Sequence, residues 1–117
     1  MDTATSPREL AHPERGDIRL EAVLHALSDP MRLIVVHTLA SGPDPLSCSY
    51  FDLPVTKSTS THHFRVLRES GVIRQIYQGT SKMNELRRDD LDALFPGLLD
   101  SVLTALARQA AAGGHRR

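Results

Sequence analysis

Tryptophan is absent from this sequence, cysteine occurs once, and only two tyrosines and three phenylalanines are present. So few aromatic faces disfavour stacking on single-stranded nucleic acid. A single thiol excludes an intramolecular disulfide framework and fits a reducing cytoplasm, the expected location. No apolar run is long enough to span a bilayer, and no charged-then-apolar segment of the secretory type opens the chain. A membrane is therefore not expected as a partner. Signatures of catalysis are missing as well: there is no glycine-rich phosphate loop, no GxSxG, no HExxH and no nucleophile with an evident base. The acidic run Asp89, Asp90 and Asp92 is more simply read as first-turn residues of a short helix, favoured by its dipole. The chain is expected not to be an enzyme.

Net charge is also lacking, with 14 Lys+Arg against 14 Asp+Glu. The distribution is far from even. Residues 1–56 hold 4 basic against 8 acidic side chains, residues 57–88 hold 7 against 2, and residues 89–117 hold 3 against 4. A surplus of five positive charges thus sits in one central stretch, where it would serve contact with phosphates. A solvated basic face is the plainer alternative. At 117 residues a single domain is expected, burying about two-thirds of the surface of the extended chain.

The basic stretch coincides with the most structured part of the pattern, LSCSYFDLPVTKSTSTHHFRVLRESGVI at 46–73. Thr56 is placed to cap a helix over Lys57 to Ser70. Ser60, His63, Phe64 and Leu67 recur at helical spacing on one face, with Ser60 at its edge. Lys57, Ser58, Thr61, His62 and Arg65 occupy the other, which offers hydroxyls, an imidazole and cations to base edges and phosphates. His62 and His63 are adjacent and point apart, His62 outward and His63 toward the core or a cap. Upstream, Ser47 to Leu53 reads as a short helix broken by Pro54. A short helix, a turn and a longer helix form a helix-turn-helix. Gly71 is a left-handed stop for the long helix. Val72–Tyr77 and Ser81–Leu86 then read as strands joined through Gln78-Gly79-Thr80, a hairpin signal. The expected fold is mainly α with a small β-hairpin, a winged helix-turn-helix.

Three segments carry a resemblance: HALSDPMRLIVVHTLA at 25–40, STHHFRVLRESGVI at 60–73, and the hairpin leading into LRRDDLDALFPGLLDSVL at 86–103. In combination they resemble the ArsR/SmtB family of bacterial winged-helix transcriptional repressors, over about Asp17 to Leu106. The resemblance implies a repressor that binds double-stranded DNA as a homodimer, with the first and last helices forming the dimer.

The flanking pattern agrees with that organisation. Residues 1–16 read as a flexible tail, 17–112 as the winged helix domain with its dimerisation helices, and 113–117 as a second tail. Leu20, Val23, Leu24 and Leu27 give an amphipathic helix over Asp17–Leu27. Ser28-Asp29-Pro30 stops it and starts the next, with Pro30 in the first turn. Met31 to Ala40 is apolar on more than one side and reads as the central core helix. Gly42-Pro43-Asp44-Pro45 is a loop. Arg88–Phe95 forms a short helix, and a last helix runs from Pro96 to about Ala111 with Leu98, Leu99, Val102, Leu103 and Leu106 in a broad stripe. Leu20, Val23, Leu24, Leu99, Val102, Leu103 and Leu106 are the expected dimer contacts.

Many members of the resembling family release DNA on binding a metal, and this sequence departs from both of the family's metal-site patterns. Where closely spaced cysteines would stand, it has Ser47-Cys48-Ser49, a single thiolate. The last helix offers Asp100 but no histidine before His115. His12, His25, His37 and His115 would together supply a nitrogen-rich set suited to nickel or zinc. Separate surface and tail histidines are the preferred reading, and no metal ligand is assigned. Cys48 is read as a small buried or half-buried residue in preference to a redox switch, which would require exposure and a neighbouring cation.

The sequence therefore points to a dimeric, sequence-specific DNA-binding regulator, a repressor by resemblance, released from an inverted-repeat operator by an effector or partner. Lys57, Ser58, Ser60, Thr61, His62 and Arg65 are expected nearest the bases and phosphates. Arg74, Gln78, Thr80 and Lys82 on the hairpin are expected at the backbone or the adjacent minor groove. The rival is a winged-helix protein-interaction module, a co-regulator with weak or absent DNA binding; the basic surplus at 57–88 favours the first.

Overall fold

A computed structural model describes residues 10–114, so residues 1–9 of the expected first tail and 115–117 of the second lie outside the described residues. The chain divides into two compact units between Arg87 and Arg88. The first unit contains helices α1 (Leu20–Ala26) and α2 (Pro30–Ser41), strand β1 (Leu46–Ser47), helix α3 (Lys57–Glu69), and strands β2 (Ile73–Gln78) and β3 (Ser81–Leu86). The second contains α4 (Arg88–Leu94) and α5 (Leu98–Gly114).

Helix α1 is shorter than its apolar period suggested. A single 3₁₀ turn at Arg15–Asp17 precedes it, and Ile18 is extended between the two. Ile18 is pulled out of helical register because it fills the space over Gly71. A Cβ on Gly71 would lie 2.5 Å from Ile18 Cγ1, and its φ of +89° also requires glycine. Gly71 closes α3 by pairing its amide with the Arg68 carbonyl while the Val72 amide bonds the Leu67 carbonyl, a Schellman end.

Asp29 caps α2: its Oδ1 accepts from the amides of Met31 at 2.8 Å and Arg32 at 3.3 Å, and Pro30 occupies the first turn. Val35, Val36 and Leu39 of this helix are buried, as are Val23 and Ala26 of α1 and Phe64 and Leu67 of α3. These side chains build the core of the first unit, and α2 is its central helix as expected.

The short helix expected at Ser47–Leu53 shrinks to a 3₁₀ turn. Leu46–Ser47 is a third strand, followed by one 3₁₀ turn at Cys48–Tyr50. The sheet order is β1-β3-β2, all antiparallel, with Leu46 opposite Asn84 and Gln75 opposite Asn84 on the other side. The reason is a polar cluster. Gln75 and Asn84 are completely buried. Asn84 Nδ2 donates to the Leu46 carbonyl at 3.1 Å and to Cys48 Sγ at 3.3 Å, while Gln75 Nε2 donates to Asn84 Oδ1 at 2.8 Å. Buried amides must find partners, and a strand at 46–47 supplies them where a helix would use its own carbonyls. Cys48 is half-buried, accepting from both amides.

In the second unit, Arg88 joins the two helices through Asp100 at 3.0 Å and reaches Asp92 at 3.8 Å. Helix α5 starts at Leu98 instead of Pro96, because Gly97 has a φ of +82° that no helix admits.

Burial disfavours the charge on Asp29, but the amide bonds from Arg32 and Met31, with His63 and Arg32 nearby, outweigh it and hold the carboxyl below its ordinary value. A depressed carboxyl contributes stability above its unfolded pKa and loses it as the pH falls through the folded one. Asp29→Ala should therefore cost about 0.5–2 kcal/mol at neutral pH. In denaturant melts the gap to wild type should close below about pH 4; a constant gap would mean that charge and capping are not what Asp29 supplies.

Candidate nucleic-acid interface

Helix α3 is capped by Thr56, whose Oγ1 accepts from the Thr59 amide at 3.2 Å. Its inner face carries His63, Phe64 and Leu67, all buried. Phe64 meets Phe51 edge-on at 5.5 Å between ring centres, fixing the segment ahead of the helix against it. Lys57, Ser58, Thr59, Thr61, His62 and Arg65 are exposed on the outer face, and Ser60 is half-buried at the boundary.

The hairpin β2–β3 forms the wing. Gln78 pairs with Ser81, leaving Gly79-Thr80 as a two-residue loop, and only Gly79 has positive φ, the pattern of a type II′ turn. Gln78 and Thr80 are exposed at the tip. Lys82 lies opposite Tyr77, with Nζ 5.7 Å from the ring centre, a cation–π contact that steadies a half-buried lysine. Arg74 faces Glu85 across the strands at 3.6 Å, so part of its charge is answered within the wing.

A groove of about 540 Å³ runs between α3 and the wing. It brings together Lys57, Ser60, Thr61, Thr80 and Lys82, over a floor that includes Phe51 and Phe64. Ser58, His62, Arg65, Arg74 and Gln78 lie outside this lining. Helical spacing and the hairpin signal put these cations and hydroxyls on α3 and the wing, but they do not show the groove that unites five of them.

The apolar residues expected at a dimer contact divide in two. Val23 and Leu99 are already buried in the single chain, so they have little area left to offer. Leu20 and Leu24 remain 44% and 46% exposed, and Val102, Leu103 and Leu106 are half-buried.

Three long-range contacts had no local signal. Arg32 reaches both the end of α1 and His63. Arg68 Nη1 donates to Gln75 Oε1 at 2.8 Å. The third involves residues 10–16, which were expected in a flexible tail. His12 Nε2 accepts the Gln75 amide at 2.9 Å, and the Pro13 carbonyl accepts from Arg87 Nη1 at 2.8 Å. The outer edge of β2 would otherwise present that amide unpaired, which is why this segment docks there. His12 was also a candidate metal donor, and its Nε2 lone pair is occupied by this bond. His25 and His37 are exposed, His115 lies outside the described residues, and among the described residues no three His, Cys, Asp or Glu side chains gather as a metal site would require.

A three-stranded winged helix-turn-helix with a polar, cationic outer face on its longer helix defines a DNA-binding transcription regulator. No family model matches the chain. It is 32% identical over 92 residues to the uncharacterized HTH-type transcriptional regulator YceK of Bacillus subtilis (strain 168), covering 76% of this chain and 92% of that protein. Among solved structures it is similar to the ArsR family transcriptional regulator RHA00566, with a TM-score of 0.57 and 25% identity over 83% of this chain and 98% of that one. It is also similar to the transcriptional repressor BigR from Xylella fastidiosa, with a TM-score of 0.52 and 25% identity over 65% and 85% of the two chains. The chain belongs to the ArsR family of helix-turn-helix transcriptional regulators and is not an enzyme.

Burial, then the charges of Arg74, Arg87 and Arg68, push the His12 imidazole below its ordinary value and outweigh a backbone bond at Leu10. The neutral ring is the form that accepts from Gln75. This contact is therefore present above about pH 6.5 and is lost as the pH falls through the lower folded value. Hydrogen exchange, corrected for intrinsic rates, should show protection of the Gln75 amide falling between about pH 7 and about pH 4. His12→Ala should lower that protection at neutral pH. Equal protection in both proteins at both ends of the range would refute the clasp.

Proposed function

We propose that this chain is a homodimeric repressor that binds an inverted-repeat operator in double-stranded DNA and is released by an effector or partner. The carrying observation is the outer face of α3, which exposes two cations, an imidazole and hydroxyls with no large apolar side chain. In this reading Lys57, Ser58, Ser60, Thr61, His62 and Arg65 enter the major groove. Arg74, Gln78, Thr80 and Lys82 on the wing take the backbone or the adjacent minor groove. BigR is a transcriptional repressor, and we extend that sense of action to this chain. Work on operator DNA puts the protein in the cytoplasm, and among the described residues no helix is long and apolar enough to cross a membrane.

The dimer in this proposal uses the first and last helices. Leu20 and Leu24 leave nearly half of their surface in water, and Val102, Leu103 and Leu106 leave a smaller part. Complete burial of one such side chain contributes about 1.5–3 kcal/mol relative to exposure, so several per subunit favour a permanent two-fold pair. Two copies of α3 related by that axis would read half-sites about 34–36 Å apart or a multiple of it.

Replacing Lys57 or Arg65 by Ala should weaken operator binding by about 1–3 kcal/mol where the contact is to a base edge. Where only phosphate is touched, the loss should be uniform across sequences and the salt slope should flatten by about one. Gel shifts at two salt concentrations distinguish these cases, and wild-type affinity in both variants would remove α3 from the DNA interface.

Assembly has its own test. Val102→Glu should produce a monomer or an unfolded chain and abolish specific DNA binding, although no DNA-facing residue is altered. Sedimentation of the wild type at micromolar concentration gives the direct check, since a clean monomer that still binds its operator tightly would sink the dimer.

A further inference from the structure

One side chain in the first unit joins three helices. Arg32, in the first turn of α2, is 6% exposed, and its guanidinium cannot shed its proton to lower the cost of burial. Nε donates to the Ala26 carbonyl at 2.7 Å and Nη2 to the His25 carbonyl at 3.2 Å. Both acceptors lie in the last turn of α1, where a cation also meets the negative end of the helix dipole. Nη1 lies 3.1 Å from Nδ1 of His63 on α3, and His63 is 7% exposed.

Arginine only donates, so Nδ1 of His63 is the acceptor and the ring carries its proton on Nε2. That nitrogen faces Asp29 Oδ1 at 3.9 Å. Asp29 Oδ1 in turn holds the first amides of α2. The end of α1, the start of α2 and the middle of α3 are thereby fixed by one polar junction. An apolar junction of similar volume would cost less desolvation. The polar one adds direction, because three fixed donors admit only one relative setting of the carbonyls and the ring.

His63 also sits beside the DNA-facing side of the helix. It follows His62 directly, and Arg65 lies two residues on, both exposed on the outer face. A rotation of α3 that freed His63 from Arg32 would turn those side chains by the same angle.

We infer that Arg32 and His63 are positioning residues that couple the end of α1 to the rotational setting of the recognition helix. The inference rests on the proposed DNA and dimer roles of those helices for its consequence, that a change in the first-helix contact alters which DNA sequence is read. Neither residue touches DNA; both act through Lys57, Thr61, His62 and Arg65.

The test uses the full chain with His63→Leu, which keeps bulk but removes the acceptor, and His63→Gln, whose Oε1 restores one. The probes are a duplex selected by the wild-type protein from a random-sequence library and an unselected duplex of equal length. His63→Leu should lose about tenfold or more on the selected duplex while binding to the unselected one changes little, and His63→Gln should recover most of the loss. Native-state hydrogen exchange reads the same coupling without DNA. The amides of Leu27 and Ser28, bonded to the last turn of α1, should exchange faster in His63→Leu although the substitution lies on α3. Unchanged selected-duplex affinity, a fall on both duplexes in step with melting temperature, or unchanged exchange at Leu27 and Ser28 would each overturn the inference. If His63→Leu does not fold, Arg32→Lys decides by the same readouts, since an ammonium cannot reach both carbonyls and the ring together. If the wild type selects no sequence, the proposed function fails, and the exchange measurement alone decides the coupling.

Discussion

The first unit depends on one helix being buried along one side and bare along the other. The buried side chains of helix α3 are His63, Phe64 and Leu67, while its outer face is polar and exposed. Each neighbouring element meets that narrow stripe. Phe51 packs on Phe64 from the segment ahead of the helix, Arg32 bonds His63 from α2, and the Schellman end at Gly71 turns the chain into the wing. Two apolar side chains and one ring nitrogen give a helix less freedom to slide than a wide apolar face would, because the ring accepts from one direction only.

The wing obeys the same logic with a different chemistry. Its inner face should be apolar by the alternation rule, yet beside Ile73 the polar Gln75 and Asn84 also have no exposure, while Ile76 next to Gln75 keeps 39% of its surface in water. Two buried amides are costly alone. Together they hold the Leu46 carbonyl, Cys48 and Arg68, so the sheet, the loop before α3 and the end of α3 share one cluster. The wing is thereby tied to α3, across the groove, by directional bonds.

This division explains what the sequence could tell. Periodic segments declared themselves: α3 and both wing strands fall within a residue of the expected limits, and Asp29-Pro30, Thr56 and Gly71 act at the ends where their chemistry places them. The misreading of Ser47–Leu53 as a helix has a clear cause. A two-residue strand has no period, and its partner, Asn84, lies 38 residues on from Leu46. His12 to Gln75 spans 63 residues and Arg32 to His63 spans 31, and a polar residue awaiting a distant partner looks like any surface residue. Of the candidate interface, the outer face of α3 was legible because it follows from helical spacing. The pairing of Arg74 with Glu85 was not, since it needs the strand register.

The absence of net charge now acquires a physical meaning. Beyond about 8–10 Å the field of one basic stretch is screened at physiological salt, and here acidic residues on either side offset it as well. A regulator of this kind gains little long-range attraction to the phosphate backbone, the term that dominates sequence-independent binding. In the proposed complex its affinity would have to arise at contact, where Lys57, Arg65 and Lys82 would offer charge and the hydroxyls of α3 would offer donors and acceptors to DNA. Contact terms depend on the setting of the helix within fractions of an ångström in a way that a diffuse field does not. In that reading a chain without net charge relies more on how rigidly α3 is held, and the bonds from Arg32 to His63 and from Arg68 to Gln75 hold it together with buried Phe64 and Leu67.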